Sequence, residues 1–557
     1  MEIYRIKNLT FTYPESIHPA LDNVNITINK GEWLLICGKS GCGKTTLLKH
    51  LVSVMAPQGK LSGDVIYNGK PLNAVDRLTQ SLDIGYVMQN PDNQIVTDKV
   101  WHELAFGLES LNYSQSKMSL RISELADYFG IREWFDKNVS ELSGGQRQIL
   151  NLASVMAVNP SVLILDEPTS QLSSEAAQEF LMLLKKIQKD FGTTIITVEH
   201  RLESVYELSD HIVLLEEGKV LLDGDRRYAA KNIQAYDYFD AMPVPVRLFS
   251  RLKPDEDNLP MNVNEARIML SEYLKDKDIT GCKMMYDDQS LFDKNNETVI
   301  KASNVWFRYD KKSPDILKDL NFSVQKGTLT CILGGNGVGK TTLLSVLTGA
   351  GKPHSGRVCI KGKNIKKWDE NALYGHVLGV LVQNPETMFI KDNVLEDLNS
   401  HAKLYGVSSE RVKELTKLMD IEHLLNMHPY DLSGGEKQRC ALCKVLIPEP
   451  EILILDEPTK GYDGYYKKKL ACIFKELLKR GITILMVSHD VEFCAEYADI
   501  CALFFDGNIK AVCGTRDFFA GNIFLTTAAN RIARDYFPLA ITTEDVISHC
   551  LMADTIT

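Results

Sequence analysis

Two eight-residue stretches of this chain have the composition to hold a nucleoside triphosphate. The first reads Gly38-Lys39-Ser40-Gly41-Cys42-Gly43-Lys44-Thr45, the second Gly334-Gly335-Asn336-Gly337-Val338-Gly339-Lys340-Thr341. Both place Gly-Lys-Thr after a glycine and four intervening residues. The glycines let backbone N–H groups turn inward around phosphate oxygens. The lysine reaches the terminal phosphates, and the threonine hydroxyl ligates Mg²⁺. Thr46 and Thr342 follow directly. Further along, Asp166-Glu167 and Asp456-Glu457 each end an apolar run. Aspartate at such a place can hold Mg²⁺, and the next glutamate can polarise an attacking water. Leu142-Ser143-Gly144-Gly145-Gln146 and Leu432-Ser433-Gly434-Gly435-Glu436 are a third matched pair. Serine before two glycines at a helix start offers a hydroxyl, free N–H groups and a positive helix end to an anion. Each serine stands 23 residues before its aspartate.

The elements that must position these residues are strands. Trp33–Cys37 and Leu329–Leu333 run into the phosphate loops, Val162–Leu165 and Ile452–Leu455 into Asp-Glu. Thr194–Val198 and Thr483–Val487 each end near a histidine, His200 and His489. Continuous apolar runs of this length suit parallel strands buried on both faces, whose carboxyl ends collect ligands. Matched residues lie 296 apart at Lys44 and Lys340, 294 at Gln89 and Gln383, 290 at the aspartates and 289 at the histidines. That near-constant offset means one domain present twice. The expected plan is an α/β domain over residues 1–222, a small subdomain and linker over 223–296, a second α/β domain over 297–520 and an extension over 521–557. Within the linker, Val263–Leu274 reads as a helix capped by Asn262.

Composition agrees with a globular protein of more than one core: 557 residues, 44% hydrophobic and 24% charged. A formal net charge of −10 gives no general attraction to nucleic acid or anionic lipid. No run of 18 uncharged apolar residues predicts a membrane span, and the first residues alternate as a strand does, without the apolar stretch of a signal peptide. The 12 cysteines are scattered, and Cys37, Cys331 and Cys501 fall in expected strands, which suits reduced thiols. Cys440 and Cys443 are read as one helix face, not a metal site.

With these motifs in place, the chain resembles the ABC-type ATPases over both copies. The resemblance implies two tandem P-loop domains, each a mostly parallel sheet with antiparallel β and helical subdomains, binding ATP and Mg²⁺. It implies that the signature serine of one copy completes the site of the other. Site one would then join Lys44, Thr45, Gln89, Asp166, Glu167 and His200 to Ser433, Gly434 and Gly435. Site two would join Lys340, Thr341, Gln383, Asp456, Glu457 and His489 to Ser143, Gly144 and Gly145. In the family the glutamates serve the attacking water and the histidines touch the γ-phosphate. Thr45, Gln89 and Asp166, with Thr341, Gln383 and Asp456, belong to the metal. Tyr13 and Tyr309 are similar to the aromatic that stacks on adenine.

Gln89-Asn90-Pro91 with the following Val100-Trp101-His102-Glu103, Pro260–Arg267 and Thr526–Arg531 look like the fused double ATPases of energy-coupling factor importers. That resemblance implies a peripheral protein on the cytoplasmic face of a membrane. Its partners would be polytopic subunits, a transmembrane coupling protein and a substrate-binding membrane protein, for uptake of a vitamin or metal ion. The alternative is a ribosome-acting twin ATPase; the Pro-containing segment between copies and the acidic charge disfavour it.

Two positions depart from the family pattern. Glu436 stands where glutamine is usual. After Asp-Glu-Pro-Thr the second copy reads Lys460-Gly461-Tyr462-Asp463, but the first reads Ser170-Gln171-Leu172-Ser173, with Ser173 where aspartate is usual. By the family geometry Asp463 serves the Lys44 site and Ser173 the Lys340 site. A neutral hydroxyl lacks the charge-assisted bonds of a carboxylate. Glu167→Gln should therefore cost more ATPase activity than Glu457→Gln. A larger loss from Glu457→Gln would show the assignment to be reversed.

Overall fold

The computed structural model describes the chain except Glu15, residues 280–296, Asn336 and Thr557. It divides into two compact units. One comprises Met1–Asn262 with Asp463–Tyr465, the other Val263–Tyr462 with Tyr466–Thr557.

In the first unit a six-stranded sheet has the spatial order Lys219–Asp225, His211–Glu216, Trp33–Cys37, Thr194–Val198, Val162–Asp166 and Ile84–Val87. Neighbours are parallel except at the Lys219–Asp225 edge, which runs antiparallel to His211–Glu216. The three central strands are buried at every residue, as their unbroken apolar runs require. Trp33 sits fully inside because its indole N–H finds the Thr197 hydroxyl at 2.9 Å. A second, antiparallel sheet has the order Leu21–Asn29, Glu2–Thr12, Lys60–Tyr67, Lys70–Pro71. Its inner face packs Tyr4, Leu9, Phe11 and Ile26 against Leu34, Ile36 and Leu47. Helices Val100–Ser110, Gln115–Tyr128 and Gly144–Met156 form the helical part.

The second unit repeats this order. Its six-stranded sheet runs Leu378–Leu381, Ile452–Asp456, Thr483–Val487, Leu329–Leu333, Ile500–Phe505, Asn508–Gly514. Its antiparallel sheet runs Leu317–Gln325, Thr298–Phe307, Ser355–Ile360, Lys363–Asn364. Its helical part is Val394–Leu404, Ser409–Leu418 and Gly434–Leu446. Cys440 and Cys443 are buried there, and every cysteine among the described residues is free.

Residues 223–262 continue the first unit. The helices Arg226–Asn232 and Val244–Leu252 bury Ala229, Ala230, Val246 and Phe249. Val263–Leu274 is helical and belongs to the second unit. Arg267 pairs with Asp535 at 2.5 Å, and the Tyr536 hydroxyl donates to Ser271 at 3.0 Å. The expected linker's last residues, 280–296, lie outside the described residues. The buried Asn530 explains the Thr526–Arg531 stretch structurally. Its amide donates to the Pro538 and Ala540 carbonyls and accepts from the Thr526 hydroxyl. Among the described residues no helix is long and apolar enough to cross a membrane.

Candidate active sites

Both phosphate loops lie at the carboxyl ends of central strands. Glycine is obligatory at their tightest points. At Gly38 φ is 148°, and an added Cβ would meet the Leu215 carbonyl oxygen at 2.1 Å; at Gly43 φ is 101°, with the Ala20 oxygen at 2.3 Å. Gly41, Gly337 and Gly339 also have positive φ, whereas Asn336 lies outside the described residues.

The loops wrap a buried lysine. Lys44 Nζ donates to the Gly38 and Lys39 carbonyls at 2.9 and 2.8 Å; Lys340 Nζ donates to Gly334 and Gly335 at 3.0 and 2.6 Å. The two are 5% and 6% exposed. Burial lowers the pKa of Lys340, while Glu457 and Asp456 work against the fall.

The acidic residues arrive from the strand two places away, beyond Thr194–Val198 in the first unit and Thr483–Val487 in the second. Thr45 donates to Asp166 Oδ1 at 3.0 Å and Tyr86 to Oδ2 at 3.3 Å. Burial, aided by the Glu167 charge, pushes Asp166 up to about 6. Asp456 is raised by burial too, its side chain bonded to Thr341, and its Oδ1 is buried with no protein partner. A hydroxyl beside a desolvated carboxylate is a donor set suited to a hard divalent cation, which would remove the cost of that burial.

Glu167 and Glu457 sit in the left-handed region, φ 46° and 53°, where glutamate is uncommon. Each N–H donates at 3.0 Å to the carbonyl ending the next strand, Val198 or Val487. Glu167 is gripped by both oxygens: His200 Nε2 lies 2.8 Å from Oε1, and Gln89 Nε2 donates to Oε2 at 2.6 Å. Burial alone would raise its pKa, but His200 and then Lys44 overrule it and hold the carboxyl below its usual range. In the second unit His489 Nε2 stands 3.1 Å from Glu457 Oε1. Gln383 is exposed at the end of Leu378–Leu381.

Tyr13 and Tyr309 flank the loops in the same way. Their hydroxyls meet Thr46 and Thr342 at 3.0 and 3.1 Å, and each ring stands edge-on to the phenylalanine two residues before it. Both rings are exposed enough, 38% and 65%, to cover a ligand.

Ser143 and Ser433 are exposed N-caps, and their bonds are made within capping boxes. Ser143 N–H donates to Gln146 Oε1 at 3.0 Å; Ser433 N–H donates to Glu436 Oε2 at 2.8 Å. A carboxylate accepts that bond as an amide does, so Glu436 keeps the cap. Gly144 and Gly434 follow with open space where a Cβ would be.

Sequence reasoning missed Glu199, beside His200. It is 1% exposed and accepts the Thr169 N–H at 3.0 Å, tying the residues after Glu167 to the next strand. Ser488 occupies the matching place in the second unit, accepting from Asp490 N–H at 3.0 Å. The difference between Glu-His and Ser-His was the available signal. Tyr86 was also missed, since a strand tyrosine usually only packs.

A family model described as "ABC transporter" matches residues 21–170 and 317–460. A Bacillus anthracis protein named as an ABC transporter ATP-binding protein is 38% identical over 548 residues, 98% of either chain. A Bacillus subtilis protein, YkoD, named as an HMP/thiamine import ATP-binding protein, is 31% identical over 502 residues, 89% of either chain. Among solved structures, an archaeal ribosome recycling factor, aABCE1, in complex with ribosomal stalk protein aP1, covers 92% of this chain and 91% of its own at TM-score 0.56. At 20% identity that last likeness concerns the fold alone.

Burial pushes Glu199 up to about 8; bonds from Thr169 oppose the rise, and the Glu167 charge adds to it. A carboxyl raised on folding contributes stability in full below its unfolded pKa of about 4.5 and loses it as pH rises through about 8. Glu199→Gln keeps an acceptor for Thr169 and cannot ionise. It should stabilise the protein at pH 8 by roughly 2–4 kcal/mol, with the gain shrinking toward pH 5. Urea unfolding at both pH values checks this; a variant weaker than wild type at pH 8 would contradict it.

Proposed function

This chain belongs to the ABC transporter family and is an ATPase with two tandem ATP-binding domains, and on that premise we propose that it is the ATP-hydrolysing subunit of an energy-coupling-factor type importer, working on the cytoplasmic face of a membrane for uptake of a vitamin or metal ion. The observation that carries the importer reading is the likeness, over nearly the whole chain, to a relative named for HMP/thiamine import. The stretches after Gln89, at Pro260–Arg267 and at Thr526–Arg531 support it.

The residues divide the work of hydrolysis. Lys44 and Lys340 present ammonium donors to the terminal phosphates from loops that leave them no other place to point. Thr45 with Asp166, and Thr341 with Asp456, would hold Mg²⁺. Bound there, that ion supplies charge neutralisation to the phosphates and relief to the buried carboxylates. Glu167, held ionised, accepts a proton from the attacking water and orients it. His200 keeps Glu167 charged and placed; His489, 3.1 Å from Glu457, is placed to orient it. Gln89 links the carboxylate of Glu167 to the Gln-Asn-Pro loop. A shift of that loop therefore changes the base, and a change at the base pulls on the loop.

The same loops support a coupling surface for membrane partners. In the first unit Val96, Trp101 and Phe106 are 63%, 41% and 45% exposed after the Gln89 loop; in the second, Ile390 is 82% exposed after the Gln383 loop. Apolar groups left this open favour a protein partner. Ser143 and Ser433, with their free helix ends, are the candidates for closing on ATP held by the opposite domain.

Purification of the tagged chain from native membranes in mild detergent tests the reading. At least one polytopic membrane protein should co-purify, and Ile390→Asp should lower its recovery about tenfold, the effect of roughly 1.4 kcal/mol. Recovery of ribosomes without a membrane protein would overturn the importer assignment.

A further inference from the structure

The second unit buries a cation that no carboxylate pairs with among the described residues. Arg439, on the helix Gly434–Leu446, is 6% exposed, and its Nε and Nη1 have no hydrogen-bond partner. Its Cζ lies 4.0 Å over the Tyr466 ring. That stacking uses the face of the guanidinium and leaves its in-plane N–H groups unused. The Tyr462 hydroxyl is likewise buried with no partner. Arg439, Tyr462 and Tyr466 line one small cavity with Met419, Leu442 and Leu470; Lys469 stands in its wall and Ile473 completes it. Lys469 pairs with Asp420 at 3.2 Å. No carboxylate lines the cavity.

Arginine cannot shed its proton, and an unpaired buried charge costs several kcal/mol. The lining presents hydrogen-bond donors and positive charge. Its space admits one body of about the size of a water molecule. Phosphate or a carboxylate-bearing metabolite would not fit; chloride, a monatomic anion only slightly larger than water, enters if the lining gives by a few tenths of an ångström. The first unit supplies an internal control. At the fixed offset of 290 residues, Arg439, Tyr462, Tyr466 and Lys469 correspond to Ile149, Leu172, Ala176 and Glu179. The guanidinium and both phenols are replaced together by aliphatic groups, as expected if the three serve one occupant.

We propose that Arg439 and Tyr462 form a chloride site in the second unit that the first unit lacks. The ion accepts from the Arg439 guanidinium and the Tyr462 hydroxyl. It thereby fastens the helix Gly434–Leu446 to the loop Lys460-Gly461-Tyr462. That loop already touches the helix start: a Cβ on Gly435 would lie 3.4 Å from the Tyr462 ring.

Thermal unfolding of the full chain in sodium chloride and in sodium gluconate, at matched ionic strength, tests the site. Chloride at about ten times its Kd should raise the melting temperature of the transition in which the second unit unfolds by roughly 2–5 °C. Arg439→Ile, which installs the first unit's residue, should abolish the difference. Tyr462→Phe keeps the ring, removes one donor and should weaken the chloride response about fivefold; it decides the matter if Arg439→Ile does not fold. Crystals soaked in bromide should show an anomalous peak within hydrogen-bond reach of both side chains. An equal chloride response in wild type and Tyr462→Phe, or an ordered water with no bromide peak, overturns the proposal.

Discussion

A lysine ammonium enclosed by the carbonyls of its own glycine loop is the constraint on which each unit is built. Lys44 and Lys340 are almost wholly out of water, and each is held by two backbone oxygens. The loop can close so tightly only because Gly38 and Gly43 carry no Cβ. It stays put because the strand feeding it is buried at every residue and hydrogen-bonded on both sides. The positive charge is then offset by carboxylates that end the strand two places away in the sheet. Burial of Asp166 and Asp456 disfavours their ionised forms, so the site holds charge in excess of what its protein partners neutralise. A triphosphate with its cation relieves both costs together.

The duplicated fold carries different buried electrostatics in its two copies. Glu199 stands where Ser488 stands, and Ile149 where Arg439 does. Glu103 accepts the N–H groups of Val96 and Thr97, while its counterpart Asp397 pairs with buried Lys444 at 2.6 Å. These exchanges leave the strands and loops unchanged, because each buried polar group is satisfied locally or faces a cavity. They alter how each unit responds to pH and to ions. Equal chemistry in the two units is therefore not dictated by equal architecture.

Much of the site was legible in the sequence because its parts are local. Trp33–Cys37 and Leu329–Leu333 announce buried strands by composition, and the glycine spacing announces the loops. The Ser-Gly-Gly starts announce capped helices, and Glu436 keeps its cap because the bond needs only an acceptor. What escaped depends on contacts between residues far apart in the chain. Glu199 gains meaning only when Thr169 is brought to it, and Tyr86 only when Asp166 is. Arg439 reads as an ordinary helix residue until Tyr462 and Tyr466 enclose it. The boundary near Asn262 was also invisible, since Val263–Leu274 takes its partners from residues more than 260 positions later.

Nucleotide-binding stoichiometry tests the central claim most directly. Titration calorimetry with Mg²⁺ and a non-hydrolysable ATP analogue should give two bound per wild-type chain. Lys44→Met and Lys340→Met should each leave one, and the double variant none. Undiminished binding in the double variant would contradict the account, because the buried lysines would then not be the groups that hold the phosphates.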